Sequence, residues 1–196
     1  MVHKSKGEKL FVEISIKMFY EIVDEVFSDP FWKQSPEYRF NKIKNAFSIY
    51  AELLNYKPLR EVAEQFNSIR GPGIGRLLGV QLFKVIRHLL LHFPIYNSWE
   101  EVWFNKSLVT WERVGLIHNF FKKHSGEGGI RYTYRESKTN EDVSVNIWLP
   151  KGYLQDEKIY LSEIMPEETG MKICISLMCD VVDPFKFVMI AESLED

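Results

Sequence analysis

Apolar residues recur at three-and-four spacing through most of the first 125 positions, and they predict a succession of helices. The first runs from about Glu8 to Phe27, with Ile14, Met18, Ile22 and Val26 four apart on one face and Phe11 and Phe19 alongside. Val12, Ile14 and Ile16 also alternate as in a strand. Asp29-Pro30 ends the run, and Ser35-Pro36-Glu37 opens the next with a capping side chain, a proline at the first helical position and an acid in the first turn. That second helix reaches about Asn55 and buries Phe40, Ile43, Phe47, Tyr50, Ala51 and Leu54. A short third helix follows from Pro58 to about Ile69, using Leu59, Val62, Ala63 and Phe66. Gly71-Pro72-Gly73-Ile74-Gly75 then breaks the pattern. No Walker lysine follows it in register and its spacing fits no dinucleotide fingerprint, so it reads as a turn between helices.

From about Arg76 to His92 the chain is apolar nearly all round: Leu77, Leu78, Val80, Leu82, Phe83, Val85, Ile86, Leu89, Leu90 and Leu91. A helix of that composition is central in its fold. Its polar residues are not scattered. At about 100° per residue, Gln81, Lys84, His88 and His92 fall within roughly 80° of one another and form a stripe. Arg87 lies roughly 140° from His92 on the same wheel. A site shared by the two requires the arginine stem to reach round, or the helix to bend or end there, and Pro94 favours an end.

The sequence Arg87-His88-Leu89-Leu90-Leu91-His92, an arginine, a polar residue, three further residues and a histidine, resembles the signature of the HEPN superfamily. Many of its members are metal-independent ribonucleases built on a small helical bundle. Arg113 and His118 have the same spacing, but Val114 follows that arginine and the pair lies mid-helix. The resemblance implies a homodimer in which two motifs face one cleft, and RNA cut by its own 2′-hydroxyl to leave a cyclic phosphate. It implies His92 as the proton-transfer group, Arg87 as the stabiliser of charge on phosphorus and His88 as the group that orients the phosphate or assists transfer. Lys84 and Gln81 would line the path of the strand. No cofactor and no metal is expected. Many relatives act in phage defence or in toxin–antitoxin pairs, which implies an antitoxin or defence partner. The other function class is a non-catalytic module of the same type that binds a nucleotide or a protein.

A plainer account makes His88 and His92 core-edge histidines bonded to carbonyls, with Arg87 paired to Glu100 or Glu101. A histidine pair at i, i+4 also suits zinc, but that needs a third ligand, and no acid lies between the two. Beyond Pro94, Ser98 and Glu101 form a capping box that predicts a short helix carrying Trp99 and Trp103, which read as packing rather than base-stacking groups. A further helix runs from about Ser107 to Lys123, presents Leu108, Trp111, Val114, Leu116, Ile117, Phe120 and Phe121, and ends at His124-Ser125-Gly126.

Composition changes at about residue 126. Ile130 to Arg135 and Val143 to Leu149 alternate like paired strands, and Lys172 to Met178 and Phe185 to Ile190 read as two more around Asp183-Pro184. The expected architecture is therefore mainly α. A HEPN-like bundle of about five helices fills 1–125, and a small antiparallel β appendage fills 126–196, α+β overall. Charge divides the same way. Residues 1–125 hold 18 Lys+Arg against 13 Asp+Glu, and 126–196 hold 7 against 14. A basic helical part suits a polyanion such as RNA, although scattered surface lysines give the same count. Cys174 and Cys179 form neither a metal pair nor a disulfide framework and read as reduced structural thiols on a strand. No signal peptide and no membrane span is expected, because charges interrupt each apolar run, so the chain is expected in the cytoplasm.

Overall fold

The computed structural model describes residues 6–61, 64, 74–93, 95–111 and 115–193. It is mainly helical, with two small antiparallel sheets. Helix α1 spans Lys6–Val26, α2 Asp29–Trp32 and α3 Pro36–Asn55. The periodicity located α1, but the buried face is turned from the expected one. Val12, Ile16, Phe19, Ile22, Val23 and Val26 are buried, while Phe11, Ile14 and Met18 stay 45%, 49% and 49% exposed. Both sets recur at helical spacing, so the pattern alone could not choose between them.

At the start of α3, Ser35 accepts from the Tyr38 amide at 3.3 Å and Pro36 takes the first helical position, as the sequence predicts. Its buried stripe is Phe40, Ile43, Ala46, Phe47, Tyr50 and Leu53, with Ala51 and Leu54 at the margin. A short helix, α4, occupies 57–61; most of the predicted helix to Ile69, and Gly71 to Gly73, lie outside the described residues. Helix α5, Ile74–His92, then crosses the centre, and Phe83 packs its ring 5.5 Å from Phe47 and 6.1 Å from Tyr50.

After α5 the predicted helix at the capping box is absent. Residues 98–101 form a turn, in which the Glu101 carboxylate accepts from the Asn97 amide at 3.2 Å. The reason is tertiary. Trp99 is wholly buried and donates its Nε1–H to the Met165 carbonyl at 3.1 Å, while the Leu161 amide bonds to the Val102 carbonyl at 2.9 Å. These long-range bonds draw the chain out into strand β1, Trp103–Phe104, paired antiparallel with β4, Ile159–Tyr160. The next predicted helix is present as α6, Lys106–Trp111, and α7, Gly115–His124, with 112–114 outside the described residues. Asn105 caps α6 by accepting from the Leu108 amide at 2.9 Å. Val109, Ile117, Phe120 and Phe121 face inward, whereas Trp111 is 76% exposed. Gly126 takes the left-handed conformation (φ 89°) just past α7, the usual helix stop.

Strands β2, Ile130–Arg135, and β3, Asp142–Ile147, form the predicted hairpin, in register from Ile130 opposite Ile147 to Arg135 opposite Asp142. Tyr132 and Tyr134 point inward and Arg131, Thr133 and Arg135 outward, which is the alternation seen in the sequence. A 3-10 turn at Tyr153–Gln155 and the short helix α8, Leu161–Ile164, lead to α9, Glu167–Ser193. This helix overturns the prediction of two C-terminal strands: Lys172 to Met178 and Phe185 to Ile190 are both helical, and α9 runs through Pro184. Cys174 and Cys179 are therefore buried free thiols on a helix, not on a strand. Helix α9 packs on α1, α3, α5 and β2, and its buried side chains belong to the same core as those of α1, α3 and α5.

Candidate functional site

The motif occupies the last two turns of α5, which runs unbroken from Ile74 to His92. Leu89 and Leu90 anchor these turns in the core with Val85 and Ile86. The polar residues between them are fixed in direction by that anchoring. His88 is half-buried and His92 exposed; their rings stack with centroids 5.0 Å apart at an interplanar angle of 20°. Burial holds the His88 pKa below the ordinary imidazole value, and the charges of His92 and Arg87 push it further down. At neutral pH this ring is uncharged and able to take a proton.

Arg87 is half-buried on another side of the helix, near α3. Its charge acts on the buried Tyr50 hydroxyl of α3, whose pKa burial pushes up to about 12; Arg87 opposes that rise and Asp180 of α9 adds to it. Neither Glu100 nor Glu101 forms an ion pair with Arg87 among the described residues. Of the motif's three polar groups, His88 is thus the one that interacts with both of the others. His92 and Arg87 flank it from two directions.

Gln81 and Lys84 lie on the same stripe, two turns and one turn before His88 respectively, and they face α7. Between α5 and α7 lies an open cavity of about 390 Å³, walled by Gln81 and Lys84 on one side and by Asn119, Lys123 and His124 on the other. The α7 residues were not anticipated from the sequence. The available signal was the basic last turn Lys122-Lys123-His124, with Asn119 one turn before Lys123. His118, of the second arginine–histidine spacing, faces elsewhere: its Nδ1 lies 3.2 Å from the hydroxyl of buried Tyr153, a structural bond. Among the described residues no three His, Cys, Asp or Glu side chains converge to hold a metal ion. Comparison with family models, with curated proteins and with solved structures finds no match to this chain. Any functional reading must therefore stand on the residues of α5 and their neighbours.

Proposed function

We propose that the chain is a metal-independent endoribonuclease of HEPN type, on a HEPN-like bundle, acting as a cytoplasmic homodimer in phage defence or opposite an antitoxin. The observation that carries this reading is the stacked His88–His92 pair at the solvent-reachable end of α5, with Arg87 next to His88 and Lys84 along the face of the histidines. Two imidazoles at one spot, one of them kept neutral, supply both an acceptor and a donor of protons without metal. In the cleavage step one imidazole takes the proton of the RNA 2′-hydroxyl as its oxygen attacks the adjacent phosphorus. The bond to the 5′-oxygen breaks, that oxygen receives the proton from the imidazolium so formed, and a 2′,3′-cyclic phosphate and a 5′-hydroxyl result. His92, the more exposed ring, carries the proton transfer; His88 orients the phosphate and assists. Arg87 of either subunit stabilises the extra charge on phosphorus, where a planar multi-donor cation is apt.

A second reading is a non-catalytic module that binds a nucleotide or a protein. It is favoured by the position of Arg87 against the Tyr50 side of the helix, away from His92. The test is incubation of purified protein with mixed RNA in excess chelator. Cleavage that falls about 10²- to 10⁴-fold in His92→Ala and in Arg87→Ala supports the nuclease. Cleavage unchanged by both substitutions, or none in the parent chain, rejects it in favour of the binding module.

A further inference from the structure

The cavity between α5 and α7 has a wall of unusual chemistry. Lys84 and Lys123 bring two cations, Gln81 and Asn119 bring amide donors, and among the described residues no carboxylate is part of the lining. The nearby acid, Glu127, is paired with the wall itself: it binds Nδ1 of His124 at 2.8 Å. That contact fixes the ring's orientation and leaves Nε2, which is buried and has no hydrogen-bond partner among the described residues. Leu116 and Phe120 supply the apolar side of the same space. Basic residues in the last turn of α7 are explained in part by the negative end of its helix dipole. Lys84 is not, since it comes from the middle of a different helix and adds its charge to the same space.

We propose that this cavity seats the phosphate of a nucleotide. Lys84 and Lys123 neutralise it, the side-chain amides of Gln81 and Asn119 donate to its oxygens, and Leu116 and Phe120 cover the sugar or base. The volume lies within the range of small-ligand sites. Only the source of the nucleotide rests on the ribonuclease reading. Lys84 precedes His88 by four residues, about 6 Å of helix rise, so in an RNA strand the seated phosphate is a neighbour of the scissile one. A free mononucleotide meets the same wall.

The test uses the full chain titrated with a fluorescent 2′-O-methyl RNA octamer, which cannot be cleaved, and separately with adenosine monophosphate. The proposal expects Lys84→Gln/Lys123→Gln to weaken the octamer at least tenfold and to lower its salt dependence by about 0.7 per lysine removed. Adenosine monophosphate that displaces the octamer at similar concentration assigns the cavity to free nucleotides, and octamer binding alone assigns it to the strand. Both lysines are exposed, so these substitutions leave the fold intact, and far-UV circular dichroism checks this. Binding of neither probe, or unchanged binding by the folded double variant, overturns the proposal. The two readings fail separately. A chain that binds the octamer through these lysines but cuts no RNA keeps the cavity and loses the nuclease. One that cuts RNA with the same KM after Lys123→Gln keeps the nuclease and loses the cavity.

Discussion

At the scale of single residues, two positions decide more than their size suggests. A Cβ on Gly79 of α5 would come within 2.2 Å of the Tyr132 ring, so only glycine lets β2 seat its buried tyrosine against the central helix. Alanine is the better helix former by about 1 kcal/mol, but overpacking a buried ring costs about 1–3 kcal/mol, and Tyr132 has Tyr134 stacked 6.3 Å away to limit its retreat. With the approach as short as 2.2 Å the cost falls at the upper end of that range, so Gly79→Ala is expected to destabilise the fold by about 2 kcal/mol. In a chain of this length that lowers Tm by about 2–4 °C per kcal/mol, read by thermal unfolding; an unchanged or higher Tm contradicts the packing described. His88 sets a pH dependence. Its folded pKa lies below the ordinary value of about 6.5, so the unfolded ring takes up its proton first as pH falls. Stability is complete above that value and declines as pH drops through it towards the folded pKa. His88→Gln is expected to flatten the decline, measured as urea midpoints between about pH 7.5 and pH 5.

At the scale of elements, what could be read from the sequence depended on how much each segment is governed by its own residues. Helix α3 carries its start signal and a one-sided apolar stripe, and the hairpin of β2 and β3 has strict alternation between turn residues; both were legible. That Arg87, His88 and His92 share one helix with Gln81 and Lys84 was legible too, but the α7 wall was not, because a cavity belongs to two helices at once. Helix α9 was misread for a reason visible in its burial. Met171, Ile173, Cys174, Ile175, Ser176, Met178 and Cys179 are all buried, so apolar residues occupy nearly every side and both helical and strand periods fit. The helix predicted at Trp99 gives way to a turn because of tertiary bonds that no local signal records. One consequence of α9 is testable. Both thiols are at most 1% exposed, and burial pushes the Cys174 thiol well above its ordinary pKa. Neither cysteine is expected to react with a thiol reagent in the native protein, and both should do so in denaturant; rapid native labelling would contradict their burial.

At the scale of the whole molecule, the C-terminal third is joined to the bundle through a continuous apolar core, and the Arg39–Glu167 ion pair is one of the polar contacts that span the join. Arg39 at the start of α3 donates Nε to both Glu167 oxygens at 3.1 Å and Nη2 to Oε2 at 2.6 Å, while its Nη1 bonds the Gln34 carbonyl at 2.5 Å. The two side chains are only 14% and 10% exposed, so either partner left alone is a largely buried, uncompensated charge. Arg39→Ala is expected to cost about 3 kcal/mol, and Arg39→Lys to recover little of it, because an ammonium cannot reproduce the fork that spans the carboxylate and the carbonyl. Where the loss is felt distinguishes one cooperative unit from two. Trp99 sits against Gly170 and bonds Met165, so its fluorescence, read with Trp32, Trp103, Trp111 and Trp148 replaced by phenylalanine, follows the docking of α9, whereas far-UV circular dichroism follows all the helices. Because buried residues of α1, α3, α5 and α9 form a single core, the two signals are expected to unfold together in urea, and Arg39→Ala to shift both midpoints equally. A tryptophan transition that precedes the loss of helix would mean that α9 and its hairpin detach from a bundle able to stand without them.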